Sequence, residues 1–185
     1  MNVWQVRRYV KGLILTAMCR LRGVIIKDRV VCLGRMPSVG GKGRIEIGSR
    51  VSFRGIRAQS RLSAGQGGNL SIGDFCFINS GAVIEASVSI KLGAYCLIGE
   101  RVSIVDNSHH EVAPGEGIRR APITIAKNVW IGADVLIMPG VTIGEHSVVA
   151  ARSVVTKDVP SRSVVAGIPA RLIRQFECPD DYRRL

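Results

Sequence analysis

From Ile72 onward the aliphatic residues fall six apart. Ile72, Ile78, Ile84 and Ile90 make one run, and after a slip of two residues Leu92, Ile98 and Ile104 make another. A third run is Ile125, Ile131, Ile137, Ile143, Val149 and Val155. The next position is often glycine, at Gly73, Gly93, Gly99, Gly132 and Gly144. Four past each aliphatic residue stands a small or branched one: Cys76, Ala82, Val88, Cys96, Val102, Val129, Val135, Val141, Ser147, Ser153 and Val159. Six does not suit an α-helix, whose apolar stripe recurs every 3.6 residues. It suits a short strand plus a corner, three of which close a triangular coil of about eighteen residues. The aliphatic residue points into the prism, and residue i+4 fills space near the corner. Glycine is expected where the backbone turns tightly or takes positive φ. Coils then stack as parallel sheets, and none can bury its core alone.

Before this stretch the pattern is weaker. Ile45, Ile47-Gly48 and Val51 read as a start or cap of the coil, and residues 54–70 as a loop or irregular coil. Residues 3–21 instead carry helical periodicity at Val3, Val6, Val10, Leu13, Ile14, Ala17, Met18 and Leu21. Arg7, Arg8, Lys11 and Arg22 lie mostly to one side of that stripe. A basic amphipathic helix is expected, its stripe packed on the main body; the alternative is a helix lying on an anionic membrane. Between Ile104 and Ile125 the beat fails, in a loop with two of the three histidines. It fails again at Ala166-Gly167-Ile168-Pro169-Ala170-Arg171, after which a short helix is expected. The chain thus divides into a basic helix and lead-in at 1–44, a coil at 45–165 with a loop at 105–122, and a tail at 166–185. The class is all-β.

Charge adds an asymmetry. The net charge is +12 over 185 residues, and residues 1–62 hold 14 Lys/Arg against 2 Asp/Glu, which accounts for all of it. That excess points to a polyanionic neighbour or to a solvated basic end. Nucleic acid finds only charge in its favour, without stacking aromatics or a known motif. The five cysteines form no CxxC pair, so neither a disulfide framework nor a zinc knuckle is expected, and a reducing compartment fits. No apolar run approaches the length of a spanning helix, and no clear signal peptide is present.

The repeats, the loop Asp106-Asn107-Ser108-His109-His110, Asn128-Val129-Trp130-Ile131-Gly132 and the tail at 164–174 together resemble the hexapeptide-repeat acyltransferases. Among these the chain is most similar to O-acetyltransferases of sugars and of cell-surface polysaccharide assembly, over roughly residues 45–174. The resemblance implies a left-handed coil, a homotrimer with sites between subunits, and acetyl-CoA as co-substrate without a metal. It implies direct transfer within a ternary complex, in the cytoplasm or at the inner face of its membrane.

Acyl transfer to a hydroxyl needs a base for the hydroxyl proton and donors for the developing oxyanion. His109 matches the family's loop histidine, and His110 is the adjacent alternative. Asp106 would bind the acceptor or orient the imidazole, unless it only forms a turn. Asn79 matches an acceptor-contacting asparagine, unless it is a corner residue. Trp130, Gly132, Ala150 and Ala151 would lie along the pantetheine arm. Gly167, Pro169 and Arg171 would meet the nucleotide end, with Lys157 and Arg162 as looser candidates. Two competing readings are a non-catalytic scaffold and a zinc carbonic anhydrase-like enzyme drawing on His109, His110 and His146.

Overall fold

The computed structural model describes residues 3–184, and side chains from residue 6. Three parallel sheets form the faces of a prism, and the chain visits them in rotation. The first face carries Ile25–Ile26, Arg44–Ile47, Asn69–Ile72, Ser89–Leu92, Ile123–Ile125 and Thr142–Ile143. The second carries Val31–Gly34, Ser52–Gly55, Phe77–Ile78, Leu97–Ile98, Trp130–Ile131, Val148–Val149 and Ser163–Gly167. The third carries Ser38–Gly41, Arg61–Ala64, Val83–Ala86, Ser103–Val105, Leu136–Ile137 and Val154–Val155. Successive coils bond in parallel register, as in Ile78 beside Ile98 beside Ile131. The architecture is the left-handed parallel β-helix.

Every aliphatic residue of the six-step runs is buried in this prism. The i+4 residues are buried too, except Val88, which is 38% exposed. Val88 falls within the two-residue slip. There Ala86 turns inward, and residues 87–88 bulge out as a wide corner. The repeat glycines serve a purpose other than positive φ. A Cβ on Gly99 would lie 2.6 Å from the backbone of Gly132, and one on Gly132 would lie 2.6 Å from that of Ala151. Their absent side chains let neighbouring coils approach. Positive φ falls instead on non-glycine corner residues, among them Phe75, Tyr95, Asn128 and His146 along one edge.

The coil begins at Ile25, earlier than expected, and residues 54–70 contribute regular strand at Arg61–Ala64. The tail is also a correction. In place of a short helix, Ala170–Gln175 is a strand that folds back antiparallel on Ser163–Gly167. Cys76 and Cys96 are buried core residues, and all five cysteines are free.

One helix, α1 (Val3–Leu21), caps the N-terminal end of the prism. Its inward face is Gly12, Leu15, Thr16 and Cys19, all buried. A Cβ on Gly12 would lie 2.0 Å from the Val30 carbonyl oxygen, so glycine permits the close approach. The apolar stripe that was expected to pack on the body faces solvent: Val6, Val10, Leu13, Ile14, Met18 and Leu21 are exposed. Its first member, Val3, lies outside the described side chains. Packing takes one side of α1 and leaves the other bare.

Candidate active site

The corners between the third and first faces include the most irregular ones of the prism. Residues 65–68 and 87–88 widen them, and residues 106–122 enlarge one into the histidine loop. Asp106 opens that loop and is fully buried. Its Oδ1 accepts the Ser87 amide at 2.6 Å, and its Oδ2 accepts those of Val88 and Ser89 at 2.8 and 2.7 Å. Ser87 and Val88 form the bulged corner of the coil below, and Ser89 opens its next strand. Both carboxylate oxygens are thus engaged by backbone amides, and Asp106 clamps the loop to the coil below.

Above the clamp the loop closes on itself. Ser108 N–H donates to the Arg119 carbonyl at 3.0 Å, Ala121 N–H donates to that of Asp106 at 3.1 Å, and Asn107 pairs with Arg120. Asn107 Nδ2 donates to Ser87 Oγ at 3.1 Å, and its Oδ1 accepts the His109 amide at 2.7 Å. His109 sits at φ 60°, a conformation that short side-chain bonds of this kind support. Both His109 and His110 are exposed at the tip. Neither imidazole has a hydrogen-bond partner among the described residues.

A groove of about 610 Å³ runs along the second face, lined by Phe77, Asn79, Leu97, Trp130, Tyr182 and Arg184. It brings Asn79 and Trp130 together. Asn79 Oδ1 accepts the Ser80 amide at 2.9 Å, and Asn79 lacks the positive φ of a corner residue. Trp130 is 47% exposed and also lines a second hollow, toward Phe176 and Pro179. Gly132 is buried between coils, Ala150 is half-buried and Ala151 exposed. Gly167 and Pro169 form the exposed turn of the tail hairpin, at a cis Ile168–Pro169 bond, and Arg171 is exposed beside it. A smaller hollow of about 280 Å³ brings Arg171 near Lys157. Arg162 is taken up by Glu145 and Asp180. The histidine loop and this groove do not meet within one chain: the loop leaves the prism edge opposite the second face.

Two groove residues, Tyr182 and Arg184, had no local signal in the sequence. They arrive because the extreme C-terminus straps back across the coil. Asn128 holds the strap, with Nδ2 donating to the Tyr182 carbonyl at 2.9 Å and Oδ1 accepting the Arg184 amide at 3.1 Å. Under it lies His146, the third histidine, which is fully buried. Its Nδ1 is 2.9 Å from Asn128 Nδ2 and so accepts, which puts the proton on a buried Nε2 that has no partner among the described residues. Desolvation lowers the His146 pKa, and Glu145 opposes it. His146 is therefore remote in kind from the two loop histidines, and no cluster of three metal-ligating side chains forms among the described residues.

Residues 122–157 match the family described as bacterial transferase hexapeptide (six repeats). The chain is 40% identical over 119 residues to galactoside O-acetyltransferase of Escherichia coli (strain K12), covering 63% of this chain and 59% of that protein. It is 34% identical over 106 residues to the putative colanic acid biosynthesis acetyltransferase WcaF of the same strain, covering 57% of this chain and 58% of that one. It thus spans less than two thirds of either relative. Among solved structures, the hexapeptide-repeat acetyltransferase VCA0836 of Vibrio cholerae, complexed with acetyl coenzyme A, superposes with a TM-score of 0.64. The identity there is 29%, over 91% of this chain and 79% of that one.

Proposed function

As a hexapeptide-repeat protein of the bacterial transferase type, this chain is, we propose, an acetyl-CoA-dependent O-acetyltransferase acting on a hydroxyl of a sugar or cell-surface polysaccharide precursor. The observation that carries the reading is the pairing of a braced histidine loop with a groove lined by Asn79 and Trp130, on a coil that superposes on an acetyl-CoA complex. Metal is not called on. The scaffold alternative gives no reason for a braced loop that ends in two free imidazoles.

The chemistry is direct. His109, with His110 as the alternative, takes the acceptor's hydroxyl proton as the oxygen attacks the acetyl carbonyl. Collapse of the tetrahedral intermediate breaks the carbon–sulfur bond and releases the CoA thiolate, which takes a proton from the imidazolium or from solvent. Trp130, Gly132, Ala150 and Ala151 would lie along the pantetheine arm, and Gly167, Pro169, Arg171 and Lys157 toward the nucleotide. Asn79 would contact the acceptor.

Because loop and groove occupy an edge and the opposite face, a complete site needs a neighbouring copy. A homotrimer with three shared sites satisfies this. The inner face of the cytoplasmic membrane is the place we assign it, where lipid-linked or nucleotide-linked acceptors are met.

The reading is tested by following thiol release from acetyl-CoA with a panel of sugar acceptors. His109→Ala or His110→Ala should lower turnover by about 10²-fold or more, as loss of a general base does. If both variants turn over like the native protein, the mechanism is wrong.

A further inference from the structure

Projected down its axis at 100° per residue, the solvent side of α1 is a continuous arc of Val6, Val10, Leu13, Ile14, Ala17 and Leu21. Leu13 is 64% and Leu21 89% exposed. Arg7 and Lys11 border the arc on one side, and Arg20 borders it on the other. Lys11 and Arg20 are held at these borders, since Lys11 Nζ donates to the Gly34 carbonyl at 2.7 Å and Arg20 to that of Ile26 at 3.2 Å. The first coil beneath adds exposed Arg22, Lys27, Arg29 and Arg35. An exposed apolar arc without a partner is costly in water. The core has no further use for it, because Gly12, Leu15, Thr16 and Cys19 already face inward.

We infer that α1 docks in the plane of an anionic lipid bilayer, with the six apolar side chains at the headgroup–acyl boundary, and Arg7 and the exposed cations of the first coil toward lipid phosphates. Charge complementarity selects this occupant. The whole net excess of +12 lies within residues 1–62, at the end of the prism that α1 caps. A second copy docked arc to arc would set rows of cations against rows of cations. Crossing is excluded as the mode, since no helix described is long and apolar enough to span a bilayer. Docking by the end of the prism leaves its three faces, the groove and the histidine loop free. The inference gives the membrane location proposed above its physical contact, and it rests on that reading for its purpose only.

The test is flotation of the full chain, without CoA, on phosphatidylcholine vesicles made with and without phosphatidylglycerol. The native protein should float with the phosphatidylglycerol vesicles and not with phosphatidylcholine alone, and added salt should weaken binding. Leu13→Glu combined with Leu21→Glu should cut the bound fraction about tenfold or more. The circular dichroism and the transfer to a soluble acceptor should be unchanged, because both side chains point away from the protein. Arg7→Glu, which keeps the arc, should weaken only the preference for phosphatidylglycerol. Equal binding to both vesicle types, or undiminished binding of the double variant, overturns the inference. So does a fall in solution mass on the double substitution, which would assign the arc to a second copy. His109→Ala separates this from the enzymatic reading: it should bind vesicles like the native chain even if no transfer is ever found.

Discussion

Asp106 Oδ1 accepts the Ser87 amide at 2.6 Å, and this contact ties the loop that bears His109 to the coil beneath it. With Val88 and Ser89 donating to the other oxygen, one buried carboxylate satisfies three amides at and beside the bulged corner. The same irregular corner that breaks the six-residue beat therefore anchors the loop.

Asp106→Asn puts an amide NH₂ where an acceptor is required, leaving a buried donor facing donors. A cost of about 2–3 kcal/mol follows, which lowers the melting temperature by roughly 4–12 °C for a chain of this size. Thermal unfolding by circular dichroism checks it, with His109→Ala as the control that should melt like the native protein. If Asp106→Asn melts normally and loses only turnover, the residue works on substrate and the clamp is secondary.

Gly132→Ala drives a Cβ to 2.6 Å from the Ala151 backbone nitrogen, with no flexible side chain able to yield. The expected loss is about 1–3 kcal/mol from forced separation of two coils. Gly40→Ala meets nothing within 4 Å and should be nearly neutral. Urea unfolding of the two variants side by side distinguishes close stacking from a general intolerance of alanine.

The six-residue beat made the prism legible, and every residue of it is buried. What the beat did not reveal lies where spacing changes. Cys32, Val39, Phe53, Leu62 and Leu70 are core residues, yet insertions at the corners separate them by unequal steps, so the early coils read as lead-in and loop. The stripe on α1 was visible, but its direction was not: periodicity alone does not say whether an apolar face turns to the core or to the outside. The tail strand and the strap at Tyr182–Arg184 depend on contacts with residues far back in the chain, such as Asn128, which no local pattern encodes.

Burial holds the His146 imidazole below its ordinary 6.5, with Arg162, Lys127 and Arg183 acting in the same direction and Glu145 against it. As pH falls through 6.5 the unfolded chain takes up the proton before the folded one does. Stability is therefore complete above 6.5 and declines as the solution is acidified below it. Melting temperatures measured from about pH 8 to about pH 5 should show this slope, and His146→Gln should flatten it. Amide exchange in residues 180–184 should speed up over the same range, because the strap lies on the buried ring. Exchange there that ignores pH would show that His146 titrates without loosening the strap.

The separation of loop and groove can be examined by mixing two inactive proteins. His109→Ala keeps the groove and lacks the proposed base; Trp130→Ala keeps the base and loses the aromatic wall. If sites form between copies, some interfaces in a mixed trimer join an intact loop from one variant to an intact groove from the other. Random assembly in equal amounts puts that pairing at about one quarter of sites. Co-refolding the two variants should restore roughly that fraction of native turnover, while simple mixing without subunit exchange should restore none. If co-refolding restores nothing, although light scattering shows mixed oligomers, each chain carries its own site. His109 and Trp130 would then have to meet by movement of the 106–122 loop around the prism.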